Sequence, residues 1–177
     1  RMYKSDKYKV VAIMSEFIMS MKSIHFVANA VYEWCHKNGI KKIISLGGIS
    51  IHGKQDEVFG IASEPKDVKM FEKIGVLPIK EGATTGVNAL LLTKASMGGK
   101  VPVISLLAEA KPDYIDPMGA ALVLTSLSDY LGIRIDTEEL VKEAMVIESK
   151  LRNSLNAARQ SEKTFKEPGA GHESMYA

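Results

Sequence analysis

The last three residues, Met175-Tyr176-Ala177, place an apolar side chain, a phenol ring and a terminal carboxylate next to one another. A carboxylate of this kind pairs with a lysine, and the ring brings apolar area with a hydroxyl handle. Other groups suggest chemistry less directly. Glu81-Gly82-Ala83-Thr84-Thr85-Gly86 precedes an apolar stretch, and free amides at a helix start bind anions. Its spacing is neither GxGxxG nor a Walker motif, because no Gly-Lys-Ser/Thr follows, and a tight turn accounts for the same residues. Gly47-Gly48, with Ser50, His52 and Lys54 after them, would stand at a strand end, where open α/β sheets bind ligands. An exposed loop explains them equally well. Ser105 and Glu109 would suggest hydrolysis only beside a base, and no G-x-S-x-G elbow is present. His25 and His36 lie eleven residues apart and cannot chelate one metal, while His52 and His172 are isolated. No metal-ligand spacing results, and no cofactor or catalytic residue is assigned.

The elements that must hold these groups follow from periodicity. Tyr8 to Met14 reads as a short buried strand, through Val10, Val11, Ala12 and Ile13. Ile24, Val27, Val31 and Trp34 recur at helical spacing beside Cys35, and Gly39 stops that helix. Strands are expected at Ile43–Leu46, Val58–Ala62, Val76–Ile79 and Val101–Leu107. Helices are expected from Pro65 to about Gly75, from Gly82 to Ser96, and from the cap Asp116 with Pro117 to Leu131. A last helix begins at Asp136 or Thr137. Its stripe of Leu140, Ala144, Ile147, Leu151, Leu155 and Ala158 is longer than one sheet covers, which points to an oligomer contact as well as core. Glu167 to Ala177 holds a proline and two glycines and reads as a flexible tail able to present its end. Strands alternating with helices predict a single-domain α/β fold: a mostly parallel sheet flanked by helices over residues 1–166, then a flexible tail over 167–177.

Bulk properties narrow the function. A chain of 177 residues with 46% hydrophobic and 25% charged side chains fits one self-sufficient domain. A net charge of +2 offers no basic surplus for nucleic acid. No apolar run reaches membrane-spanning length, and Lys4, Asp6, Lys7 and Lys9 break any leader-like stretch. The single cysteine, Cys35, suits a reducing cytoplasm.

Several segments resemble the proteasome-assembly-chaperone family, in particular its archaeal members. They are Gly39-Ile40-Lys41-Lys42-Ile43-Ile44-Ser45-Leu46-Gly47-Gly48, then Gly82 to Leu92, then Pro102 to Glu109. Pro112, Tyr114, Asp116, Ala120-Ala121 and Leu131-Gly132-Ile133 follow in the family's order, so the likeness runs from about Tyr8 to Leu155. The resemblance implies a fold related to nucleoside-phosphorylase-like domains, homo-oligomerisation and no enzymatic activity. It also implies that Met175, Tyr176 and Ala177 act as a hydrophobic–tyrosine–any tail that enters pockets between α-subunits of the proteasome core particle. Family members begin with a further strand, a Gly/Pro-rich loop and a helix ahead of the region equivalent to Tyr8, and that segment is absent from these residues. The alternative is a nucleotide- or nucleoside-dependent enzyme of ATP-grasp-like or phosphorylase-like type. Such a ligase needs phosphate-binding lysines and magnesium-binding carboxylates. Asp113 and Asp116 are the nearest approach, and Asp116 is better placed as a helix cap.

Overall fold

The structure, a computed structural model, describes residues 1–16, 19–50, 57–81, 84–109, 116–147 and 149–150. The chain opens on β1 (Met2–Ser5) and β2 (Val10–Ile13), an antiparallel ribbon in which Met2 faces Ile13 and Tyr3 faces Ala12. Helix α1 (Met21–Lys37) and strands β3 (Ile43–Ile49) and β4 (Val58–Ala62) follow. Then come α2 (Pro65–Lys73), the two-residue β5 (Leu77–Pro78), α3 (Gly86–Ser96), β6 (Val103–Glu109) and α4 (Pro117–Leu131). Residues 138–147 form a further helical run.

The second sheet has the order β3-β6-β4-β5. Its β3–β6 and β4–β5 pairings are parallel, as the alternation of strands and helices predicts, but β4 runs antiparallel to β6. The cause is the connection from β3 to β4, which spans residues 50–57. That is too short for the crossover a parallel neighbour needs, so the chain returns in the opposite direction.

Alternation along β3, β6 and β4 splits the core in two. Ile43 and Val103 point to the side of α1 and α3, where they meet Tyr32, Cys35, Leu91 and Leu92. Val58, Ile104, Leu106 and Ala108 point to the opposite side, against Phe71, Val76 and Val123 of α2, its following turn and α4. The result is a sheet between two helical layers. Side chains of β6 from Val103 to Ala108 are all buried, as its near-continuous apolar run predicts. Gly60 makes the α2 layer possible, since a Cβ there would lie 2.5 Å from the Phe71 ring and 2.8 Å from Val76.

Several boundaries follow local chemistry. Asp116 caps α4 by accepting a 2.9 Å hydrogen bond from the Gly119 amide, with Pro117 in the first turn. Gly132 ends α4 in the left-handed region at φ 65°, where a side chain is unfavourable. Helix α3 starts at Gly86, while Gly82 and Ala83 lie outside the described residues. The Tyr8–Met14 strand needs correction. Val10–Ile13 is extended, but it joins the ribbon, and Tyr8, Ile13 and Met14 are each more than two-fifths exposed. An apolar run signals burial only if a layer covers it, and the ribbon has no third strand among the described residues. Of the final helix, Ala144 is buried and Leu140 and Ile147 are half-buried, whereas Leu151, Leu155 and Ala158 lie outside the described residues.

Candidate functional site

Strands β3 and β6 end together, at Ile49 and Glu109, and two helices start beside them. The first turn of α3 carries Asn88 over Gly47: a Cβ on Gly47 would lie 3.1 Å from Asn88 Nδ2. The first turn of α4 packs as closely, since a Cβ on Gly119 would lie 3.2 Å from the Glu109 carbonyl oxygen. Two helix N-termini thus border one pair of strand ends, the position at which open α/β sheets hold ligands. The charges there are negative, however. Asp116 already satisfies the α4 terminus, and Glu109 Oε2 is buried with no hydrogen-bond donor among the described residues. Carboxylates stand where a phosphate would need donors, so the described residues do not build an anion cradle.

Ser105 is closed to chemistry. It is buried in β6, and Ser45 Oγ lies 2.8 Å from its Oγ, across the parallel pair in register. Two hydroxyls that satisfy each other inside a sheet form a cross-strand polar contact. His25 and His36 are exposed on α1, and the described residues contain no cluster of three metal-ligating side chains. Cys35 is buried, and burial pushes its thiol pKa up, which disfavours the reactive thiolate. Ser50 is exposed just beyond β3, while His52, Lys54, Asp113 and His172 lie outside the described residues. So do Met175, Tyr176 and Ala177.

One polar cluster has no signature in the sequence. Lys42, immediately before β3, donates to Asp67 of α2 and, at 2.7 Å, to the Tyr130 hydroxyl of α4. Tyr130 in turn donates to Asp67 Oδ1 at 2.8 Å. The Asp67 side chain is 4% exposed and that of Lys42 22%. Burial, then the hydrogen bond to Asp67 and its negative charge, push the Tyr130 phenol well above its ordinary pKa. Tyr130 therefore stays protonated, which suits a tie between three elements and does not suit a general base. Its partners are 25, 63 and 88 residues apart, beyond the reach of any spacing rule.

Comparison with known proteins gives this architecture a context. The PAC2 family matches residues 2–154. An uncharacterised protein of Methanocaldococcus jannaschii is 32% identical over 145 residues, covering 80% of this chain and 58% of that protein. The chain thus spans little more than half the length of that relative. Among solved structures, Pyrococcus furiosus PbaA, an archaeal homologue of proteasome-assembly chaperone, aligns over 94% of this chain and 69% of its own. The TM-score is 0.78 at 27% identity. Pyrococcus furiosus PbaB, an archaeal proteasome activator, aligns over 87% of this chain and 76% of its own, with TM-score 0.65 at 23% identity, a likeness of fold. The order of segments from Gly39 to Ile133, the three-layer architecture and these matches agree, and the chain belongs to the PAC2 family.

Proposed function

We propose that the protein is a cytoplasmic assembly chaperone or adaptor of the proteasome core particle, and that it binds the α-ring through Met175, Tyr176 and Ala177. The observation that carries the reading is membership of the PAC2 family together with the likeness to PbaA. The tail adds a ligand of the right type: an apolar anchor, a ring with a hydroxyl, and a carboxylate without bulk beside it. Pro168, Gly169 and Gly171 precede it, so fixing the tail on a partner costs conformational entropy and a single tail binds weakly. A homo-oligomer presenting several tails to the several pockets of a ring gains avidity. On this reading the domain is a platform and performs no catalysis.

Co-sedimentation or pull-down with the core particle tests the proposal, comparing the parent chain with Tyr176→Ala and with a chain extended by one residue after Ala177. A nucleotide-dependent enzyme is the competing reading. Its support is the pair of helix N-termini at the β3 and β6 ends, and its obstacle is the carboxylates of Glu109 and Asp116 at the same place. Titration with adenine nucleotides and magnesium separates the two, since the chaperone reading expects no saturable binding.

A further inference from the structure

A cleft of about 350 Å³ opens between the last turns of α1 and α3. Tyr32, Glu33 and His36 line one side, and Lys94, Met97 and Lys100 the other. Its floor is fixed. The buried Tyr32 hydroxyl donates to the Val101 carbonyl and accepts from the Val101 amide, both at 3.0 Å. A Cβ on Gly99 would lie 2.1 Å from that hydroxyl. Lys94 stands 5.2 Å from the centre of the Tyr32 ring and 3.9 Å from a Glu33 carboxylate oxygen. Glu33 is the one acid on the lining, whereas Lys100 and His36 are exposed with no ion-pair partner among the described residues. Helix C-termini repel anions, but here the carbonyls of Cys35, His36, Thr93 and Lys94 already accept from the backbone that follows each helix. Met97, 82% exposed, adds an uncovered thioether at the rim.

One segment of the chain has the complementary character. Residues 167–177 carry Glu167, Glu173 and the carboxylate of Ala177, with no lysine or arginine. The stretch before them is basic, with Arg152, Arg159, Lys163 and Lys166 against Glu162. The cleft is also within reach. Tyr130, in the last turn of α4, accepts from Lys42 just before β3, so α4 finishes at the end of the sheet where β3 and β6 begin. Lys100 stands just ahead of β6 at that same end. Residues 151–166 would span about 24 Å as a helix and more than twice that extended, against about 40 Å across a domain of this size.

We infer that residues 167–177 dock in this cleft of their own chain, the carboxylates of Glu173 and Ala177 on Lys94 and Lys100 and the Tyr176 ring on the Met97 thioether. A tail held in this way is withheld from any partner until that partner displaces it. The consequence for core-particle binding rests on the proposed function. The docking itself does not, and its test contains no proteasome.

The experiment is digestion of the full chain by a carboxypeptidase, timing the release of Ala177 and Tyr176 beside the free synthetic peptide of residues 167–177. At low ionic strength the parent is expected to release them at least fivefold more slowly than the peptide, and salt is expected to narrow the gap. A His36→Glu, Lys100→Glu chain and a Glu173→Lys chain are each expected to release them at the rate of the peptide of matching sequence. Thermal unfolding checks that both remain folded. Should the first fail to fold, the second decides alone, since its change lies outside the domain. Release from the parent at the peptide rate would overturn the inference. So would a folded variant protected as well as the parent, or protection that grows with protein concentration, which would assign the contact to a second copy.

Discussion

Lys42, Asp67 and Tyr130 form the part of the molecule in which single atoms matter most. Asp67 is nearly sealed from water, so its charge depends on the ammonium of Lys42. Removing one partner of such a pair is worse than never having built it, because the other charge stays buried. Lys42→Met is expected to lower unfolding stability by about 3–5 kcal/mol, measured by urea denaturation, with the slope of the transition unchanged. A loss within experimental scatter would mean that Asp67 is solvated by other means. Tyr130 adds a pH signature. The folded protein holds the phenolic proton more tightly than the unfolded chain does. The stability this confers is therefore intact below the ordinary tyrosine pKa of about 10 and is lost as pH rises beyond it. Tyr130→Phe is expected to flatten that alkaline limb, read as thermal midpoints from pH 8 to 11. An unchanged limb would place the titrating group elsewhere.

At the scale of elements, Gly60 decides how α2 sits on the sheet. The Phe71 ring, fully buried, occupies the space where a side chain would stand. Gly60→Ala is expected to cost about 1–3 kcal/mol through displacement of Phe71, with a fall in thermal midpoint as the readout. No fall would show that α2 repacks freely. Elements built on local rules were legible in advance: Asp116-Pro117 and Gly132 bound α4 as a cap, a first-turn proline and a left-handed stop must. The apolar run of β6 also announced a central strand. Features that depend on distant partners were not legible. Val10–Ile13 has the composition of a buried strand and lies in a ribbon with exposed side chains. The antiparallel entry of β4 came from a short connection that strand patterns alone do not reveal. Asn88 over Gly47 and the Lys42 cluster exist only once α3, α2 and α4 are placed. The tail is proposed as a ligand from three adjacent residues alone, and these lie outside the described residues.

For the whole molecule, the account is of a three-layer domain whose own strand ends build no anion cradle among the described residues, and whose proposed activity lies in presenting its C-terminus. On the proposed reading, several weak tails on one assembly would bind far better than one, so self-association would serve the function. The most direct measurement is the affinity of the intact chain for purified core particle, beside Tyr176→Ala and the chain lengthened by one residue after Ala177. Both changes leave the domain untouched, so folding and sedimentation are expected to match the parent. Binding is expected to fall at least tenfold in both, because one loses the ring and hydroxyl and the other moves the carboxylate out of register. Parental affinity in both variants would contradict the docking role of the tail.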